Sequence, residues 1–195
     1  MLQARDLDII QNGIPLWQKL NISVKPGERL GIFAPSGYGK TTLGRVFAGW
    51  QRPSAGSVLL DNQPLPATGY CPVQLIPQHP ERTFNPSRTT GAALGDVWQP
   101  SPRLLSELSI NPELLTRFPA EVSGGELARI ALVRALDPRT RYLIADEITA
   151  QLDPLMQAQI WRVMLRQAEQ RNLGMIIISH SKALLDRVCS RVWTP

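Results

Sequence analysis

Residues 34–42 read Ala34-Pro35-Ser36-Gly37-Tyr38-Gly39-Lys40-Thr41-Thr42, between an apolar run at 30–34 and a helical pattern at 41–48. A glycine-rich loop between a strand and a helix leaves backbone N–H groups unpaired, and such groups favour anions. Lys40 has the reach to contact outer phosphate oxygens, and the Thr41 hydroxyl suits a Mg²⁺ ion. This segment, called the phosphate loop below, predicts a phosphate site. The alternative is a structural turn that happens to hold a lysine.

The strict pattern of such loops begins with glycine, whereas this chain has Ala34 at that position. Alanine tolerates a positive φ poorly, because its Cβ meets the backbone there. Two possibilities follow from the sequence. Either the backbone avoids a positive φ at Ala34, or the loop is somewhat strained.

Two further apolar runs, at 142–145 and 175–178, have the near-continuous apolar character of buried parallel strands. Helical patterns at 126–136 and 154–170 follow the same alternation, and the second opens with Asp153 as an N-cap before a proline. Strands that alternate with helices predict an α/β fold. Loops at the carboxyl ends of such strands are where an open sheet binds its ligands.

Short apolar stretches with turn signals in residues 1–30, and a hairpin-like segment at 56–65, predict antiparallel strands. Between Gln78 and Ser123 the chain is rich in Pro, Thr, Ser and Asn, with one amphipathic stretch at 104–118. The expected fold is therefore a P-loop α/β domain with a mainly parallel sheet, an antiparallel β edge and a small helical insert.

Composition narrows the function classes. The chain has 195 residues, 43% of them hydrophobic and 19% charged, which is the composition of one globular domain. Its apolar runs are far shorter than the roughly 20 residues that a membrane span requires, and its first residues lack the apolar core of a secretory signal. We therefore expect a cytoplasmic protein. Two cysteines without a CxxC pattern argue against zinc, and the scattered basic residues behind the net charge of +5 give little support for nucleic acid.

Two more segments carry candidate chemistry. The apolar run at 142–145 ends in Asp146 and Glu147, where Asp146 suits a Mg²⁺ position and Glu147 suits the polarisation of an attacking water. The alternative is an ordinary strand followed by a solvated turn. The segment 122–126, Val122-Ser123-Gly124-Gly125-Glu126, places a serine and two glycines at a predicted helix start, which makes either an anion site or a simple N-cap.

Taken in order, these segments resemble the ATP-binding cassette (ABC) family over essentially the entire chain. The family's elements correspond to a Walker A-like loop at 34–42, a Q-loop at Gln78, a signature at 122–126, a Walker B at 142–147, a D-loop at 148–153 and a switch histidine at His180. Six elements in one order are highly specific. The segment 122–126 is called the signature below.

The resemblance implies ATP and Mg²⁺ as cofactors and gives each candidate residue a role. ATP would be held by Ser36, Gly37, Tyr38, Gly39, Lys40, Thr41 and Thr42. Mg²⁺ would be held by Thr41, Gln78 and Asp146. Catalysis would fall to Glu147, His180 and Gln78, and Asp153 would lie in the D-loop. Ser123, Gly124, Gly125 and Glu126 would contact the γ-phosphate bound to a second subunit.

The resemblance also implies partners. A second ABC ATPase, identical or different, would complete the dimer, and membrane-spanning permease subunits would hold it at the cytoplasmic face of the cell membrane, with no direct contact to nucleic acid. The segment 76–86 resembles the Q-loop of oligopeptide, dipeptide and nickel importers. A single ABC domain over 1–195, with a helical subdomain at about 79–136, is the expected organisation. A soluble non-transport ABC ATPase and a weakly hydrolysing partner in a heterodimer are the alternatives.

The chain departs from the family pattern at several positions. Besides Ala34, the signature has Val122 for leucine and Glu126 for glutamine, and Ile148 replaces a proline. The aromatic residue that stacks on adenine in the family is missing near Gln11, and Trp17 lies too far along and is expected in the core. The base must therefore be bound weakly or by another side chain.

Overall fold

The computed structural model describes residues 1–150 and 152–195. In chain order its strands and helices are β1 (Leu2–Gln11), β2 (Ile14–Val24), β3 (Arg29–Ile32), α1 (Lys40–Phe47), β4 (Ala55–Leu60), β5 (Gln63–Pro64), β6 (Val73–Ile76), α2 (Thr90–Gly95), α3 (Pro102–Glu107), α4 (Pro112–Thr116), α5 (Gly124–Ala135), β7 (Tyr142–Asp146), α6 (Pro154–Arg171), β8 (Gly174–Ile178), α7 (Lys182–Val188) and β9 (Arg191–Trp193). Short 3₁₀ helices lie at Pro80–Thr83 and Pro119–Glu121.

A five-stranded parallel sheet has the order β6-β7-β8-β3-β9. Every residue of β7 and β8 is buried, which explains why their sequences are continuous apolar runs rather than alternating ones. Ile178 pairs with Ile32 on one side and with Asp146 on the other. The loops that follow β3, β7 and β8 therefore begin at the same edge of the sheet.

A second sheet is antiparallel and has the order β2-β1-β4-β5. Its longest pair, β1 with β2, closes in a tight hairpin in which Gln11 lies opposite Ile14. The two sheets enclose α1 and share one apolar core around Phe47, Leu43 and Ile144. A Cβ at Gly44 would lie 3.2 Å from the Ile178 side chain, so glycine lets α1 lie close against the parallel sheet. The predicted fold class, with its parallel sheet and antiparallel edge, is confirmed.

The amphipathic stretch predicted at 104–118 contains two short helices. It holds the end of α3 and all of α4. Ser109 between them has a φ of +53°, and Pro112 begins the second helix, because proline cannot continue a preceding one.

One half-buried arginine joins α5 to the segment that follows Gln78. The Arg134 guanidinium on α5 donates hydrogen bonds to the Thr83 carbonyl (3.1 Å) and hydroxyl (2.6 Å). It also lies 4.6 Å from the ring centroid of Phe84. Burial lowers the pKa of Arg134. The 3₁₀ turn at Pro80–Thr83 is thus fixed to the helix that carries the signature.

Candidate nucleotide site

The phosphate loop connects β3 to α1, as predicted. Positive φ within this described loop is confined to Gly37 (+83°) and Gly39 (+81°), which are residues that adopt it without steric cost. Ala34 is buried and avoids that region, so the first of the two possibilities holds and the alanine causes no strain there. Gly39 precedes α1 and supplies no side-chain cap, and no acidic residue stands in the helix's first turn. The first N–H groups of α1 are thereby open to an anion.

Lys40 is anchored to the loop itself. Its ammonium group donates to the carbonyl oxygens of Ala34 (2.5 Å) and Pro35 (2.9 Å), and the side chain is buried. These bonds hold the positive charge across the loop, where phosphate oxygens would be cradled by the backbone.

A cleft of about 590 Å³, called the phosphate cleft, gathers most of the predicted residues. It is lined by Gln11, Leu16, Ser36, Gly37, Gly39, Lys40, Thr41, Thr42, Gln78, Asp146, Glu147 and His180. Residues from the loops after β3, β6, β7 and β8 meet here because those strands end at one edge. No residue of 122–126 is among the described residues that line it.

The carboxyl group of Asp146 is buried at the end of β7. Neither of its oxygens makes a well-formed hydrogen bond with the described residues. Burial raises the pKa of Asp146, and the neighbouring Thr41 hydroxyl acts against that rise. A buried carboxylate of this kind requires a cation or a donor. With the Thr41 hydroxyl and the Gln78 amide, it presents the oxygen ligands that Mg²⁺ prefers, so the residues present fit that ion.

Glu147 and His180 are in contact. The backbone N–H of His180 donates to one Glu147 oxygen (2.8 Å), and ring Nδ1 lies 2.9 Å from the other. A carboxylate only accepts, so the tautomer matching this contact carries its proton on Nδ1. Glu147 has a φ of +52°, a conformation that costs a non-glycine residue roughly 1–3 kcal/mol. Such backbone strain is concentrated at functional sites.

The signature begins α5, and its Ser123 and Glu126 form hydrogen bonds with each other. The Ser123 hydroxyl donates to Glu126 Oε2 (2.6 Å), and Ser123 N–H donates to the same oxygen (2.8 Å). In return the Glu126 N–H donates to the Ser123 hydroxyl oxygen (3.3 Å), which completes a capping box. The hydrogen bonds from Ser123 lower the pKa of Glu126. Ser123 and Gly124 are exposed to solvent.

A second depression of about 260 Å³ adjoins the phosphate cleft. It shares Gln78 and Glu147 with that cleft and reaches Gly124 and Gly125 on its other side. Asp153, predicted in the D-loop, accepts a hydrogen bond from Met156 N–H (3.0 Å) and caps α6. Gln151 of the same predicted loop lies outside the described residues.

Sequence reasoning missed Gln11 and Leu16 as site residues. Gln11 ends β1, and its amide oxygen accepts a hydrogen bond from the Thr42 hydroxyl (3.1 Å). Their positions could have indicated this role. Both residues lie at the β1–β2 hairpin, near the place where the family's aromatic residue is missing. Trp17 is 4% exposed, which confirms its placement in the core.

Tyr38 belongs to the phosphate loop but is not among the described residues that line the cleft. Its ring packs against Trp17, with centroids 5.1 Å apart and planes 75° from parallel. The Trp17 indole N–H in turn donates to the Gly39 carbonyl (3.2 Å).

Among the described residues, no helix is both long and apolar enough to cross a bilayer. The sequence profile of the ABC transporter family, described as "ABC transporter", matches residues 17–150. The nickel import system ATP-binding protein NikE of Staphylococcus aureus strain bovine RF122 / ET3-1 is 34% identical over 189 residues, covering 90% of this chain and 77% of the relative. NikE of strain N315 is 32% identical over 188 residues with the same coverage.

Solved structures share the fold. An ATP-binding subunit of an ABC transporter superposes with a TM-score of 0.84 at 21% identity, over 100% of this chain and 85% of that one. The Clostridium perfringens protein cbiO1, part of the cbiONQ complex, gives 0.77 at 24% identity, over 99% and 83% of the two chains. The dimeric cassette MJ0796 bound to ADP and Pi gives 0.82 at 18% identity, over 100% and 94%. The chain therefore belongs to the ABC transporter family, as an ATP-hydrolysing subunit that energises transport.

Proposed function

We propose that this chain binds Mg²⁺-ATP in the phosphate cleft and hydrolyses it only when a second ABC ATPase places its signature over the γ-phosphate. One observation carries the proposal. Lys40, Asp146 and Glu147 share one cleft, whereas the signature residues Ser123 and Gly124 are exposed and lie outside it. A single chain therefore holds two incomplete halves of a site, and two chains arranged head to tail would complete both.

Different residues of the cleft would bind the phosphates, hold Mg²⁺ and activate the water. The open N-terminus of α1 and Lys40 bind and orient the phosphates, where electrostatic stabilisation of phosphoryl transfer is needed. Mg²⁺ would be held by Thr41, Gln78 and Asp146, and it supplies charge neutralisation at the transferred phosphate. Glu147 orients the attacking water and accepts its proton.

His180 positions the Glu147 carboxylate, since it contacts both carboxylate oxygens. This contact also restricts the rotation of the Glu147 side chain, whose backbone has a positive φ. His180 is therefore placed to set where the proton acceptor stands relative to the phosphates, in addition to the γ-phosphate contact that the family resemblance implies.

We further propose that the transporter is an importer of nickel complexes or peptides. The support is the 34% identity to a nickel import ATP-binding protein and the resemblance of residues 76–86 to this group's Q-loop. Residues 79–136 would form the subdomain that faces the permease, with Gln78 at its junction to the cleft. Cells that lack the chain should accumulate less radioactive nickel, and an unchanged uptake of both nickel and peptides would contradict this cargo.

The catalytic assignment is tested by Glu147→Gln, which keeps the shape of the side chain and removes the proton acceptor. Phosphate release should fall by at least about 100-fold, the usual contribution of a general base. ATP binding should persist, and ATP-dependent dimers should accumulate in size-exclusion chromatography because they no longer turn over.

Glu169→Gln is the matched control, since Glu169 is an exposed carboxylate on α6 remote from the cleft lining. It should hydrolyse ATP like the native chain. Unchanged turnover in Glu147→Gln would refute the role of Glu147. Loss of turnover without any ATP-dependent dimer, with this chain alone and with its partner ATPase, would refute the shared site.

A further inference from the structure

Residues 147–150 form a turn directly after β7, and the first of them is the proposed proton acceptor. The Glu147 N–H donates to the Ile178 carbonyl (3.0 Å), and the Ala150 N–H donates to the Glu147 carbonyl (3.1 Å). Glu147 has a φ of +52°, a conformation that a non-glycine residue keeps only when its surroundings fix it. The contacts of this turn therefore determine where the Glu147 carboxylate lies.

The turn borders a pocket of about 210 Å³, called the rear pocket, which is lined by Glu147, Thr149, Trp161 and His180 together with neighbouring residues. Glu147 and His180 also line the phosphate cleft, so this pair stands between the cleft and the rear pocket. Protein interiors are otherwise close-packed, and a pocket of this size gives the turn room to shift. The turn therefore needs a fixed point on the side away from the cleft.

Trp161 on α6 supplies such a point. Its indole N–H donates to the Thr149 hydroxyl oxygen at 3.2 Å, and the two residues are 6% and 3% exposed. An indole has one N–H donor and no acceptor, so this bond satisfies its polar group completely. The Trp161 ring also packs in the apolar core, which prevents it from following a moving loop. The helix α6 thus holds the turn through the Thr149 hydroxyl.

We propose that Trp161 is a positioning residue for ATP hydrolysis, which holds the 147–150 turn through Thr149 so that the Glu147 carboxylate faces the attacking water. The inference rests on the proposed function, because it takes Glu147 as the proton acceptor. His180 restrains the carboxylate itself, whereas Trp161 restrains the backbone that carries it. Loss of the Trp161 bond should misplace the proton acceptor without removing it, and a misplacement of about 1 Å can cost about 100-fold in rate.

Two variants remove this bond from opposite ends. Trp161→Phe keeps an aromatic ring and removes the N–H donor, whereas Thr149→Val keeps the shape of the side chain and removes the acceptor. In steady-state hydrolysis of Mg²⁺-ATP, each should lower kcat about ten- to 100-fold and leave KM within about twofold of the native value. Thr149→Ser retains the hydroxyl and should keep the native kcat.

Trp98→Phe is the matched control. The Trp98 indole N–H donates to the Val133 carbonyl (3.0 Å), so this change deletes a bond of the same kind. Trp98 is not among the described residues that line the phosphate cleft or the rear pocket. The variant should lower the urea midpoint about as much as Trp161→Phe does and keep the native kcat. An equal loss of kcat in both variants would overturn the inference, because the effect would then follow from lost stability.

Two further results would overturn the inference. One is a native kcat in Thr149→Val, which also decides the matter if Trp161→Phe does not fold. The other is a rise in KM without a fall in kcat, because the bond would then serve nucleotide binding and not the proton acceptor.

Glu147→Gln in the same assay separates this inference from the proposed function. If Glu147→Gln and the native chain hydrolysed ATP alike, the proposed function would fail and the inference would fail with it. If Glu147→Gln lost turnover while Trp161→Phe and Thr149→Val kept it, the inference alone would fail.

Discussion

The N-termini of α1 and α5 are both preceded by glycine-rich segments, yet they differ in how their N–H groups are satisfied. At α1 the cap residue is Gly39, and its described first turn carries neither a side-chain cap nor an acid. At α5, Ser123 and Glu126 cap each other through three hydrogen bonds. The first helix presents its positive end to an anion. The second has already placed a carboxylate there.

Because of this difference, the N-terminus of α1 can bind an anion directly, whereas the N-terminus of α5 must first break its side-chain cap. Phosphate can bind at α1 without displacing a side-chain cap, whereas the Ser123 hydroxyl must leave Glu126 before it donates to a phosphate. The bond it leaves is charge-assisted, and such bonds are about twice as strong as neutral ones. Closure of two chains should therefore be the more demanding step, and nucleotide binding to one chain the easier one.

The largest expected effect is at the open helix. Lys40→Ala removes the ammonium group that the loop carbonyls hold in place, and nucleotide affinity should fall by at least about 100-fold, the value of one or two charged hydrogen bonds. Calorimetric titration of the β,γ-imido ATP analogue measures it. Lys182→Ala, which alters an exposed lysine on α7, should bind normally. If Lys40→Ala kept the native nucleotide affinity, the view that α1 binds phosphate without rearrangement would be contradicted.

The second prediction contrasts one glycine from each segment. Gly39→Ala should destabilise the fold by about 1–3 kcal/mol, because φ is +81° and the new Cβ would lie 2.9 Å from Leu16. Gly124→Ala should change stability by less than about 1 kcal/mol, since no described residue lies within 4 Å of the added Cβ and alanine favours the helix. Urea denaturation measures both. Equal destabilisation by the two changes would erase the distinction between the segments.

The third prediction separates capping from function. Ser123→Ala should cost about 1 kcal/mol of folding free energy and also most of the dimer-dependent ATP hydrolysis. Ser101→Ala is the matched control, because Ser101 caps α3 in the same way through Leu104 N–H (3.2 Å). It should cost similar stability and leave hydrolysis intact. If both variants lost hydrolysis alike, the signature serine would have no role beyond its cap.

The smallest effect concerns the charge on Glu126. The Ser123 hydroxyl lowers the pKa of Glu126, so its stabilising contribution is present above the unfolded value of about 4.3 and is lost as the pH falls through the lower folded value. Glu126→Gln should flatten that part of the thermal melting profile between about pH 5 and pH 2. It should also raise ATP-dependent dimer formation about three- to tenfold, because the neutral amide holds Ser123 less strongly and a repulsive charge is removed. Weaker association in this variant would contradict the view that the cap opposes closure.

The sequence predicted the elements whose local pattern determines them. The apolar runs of β7 and β8 and the Asp153 and Pro154 start of α6 lie where they were expected. The glycines and the lysine of the phosphate loop predicted its position, and the loop connects β3 to α1. The break between α3 and α4 was not predicted, because the positive φ of Ser109 depends on how the two helices pack.

The sequence also did not predict that Gln11 and Leu16 line the phosphate cleft. Gln11 and Thr42 are 31 positions apart, and their hydrogen bond exists only because the β1–β2 hairpin packs on the phosphate loop. The same holds for the contact between Glu147 and His180, which pairing of β7 with β8 creates. Side chains that meet across the fold leave no periodic signal.

The hydrogen bonds between Arg134 and Thr83 couple α5 rigidly to the 3₁₀ turn after Gln78. The 3₁₀ turn after Gln78 cannot shift away from the helix without breaking two guanidinium hydrogen bonds and an aromatic contact. Ser123 stands at the far end of the same helix, about 16 Å from Arg134 along its axis. A displacement of residues 80–84, which lie in the subdomain proposed to face the permease, would therefore also move the signature.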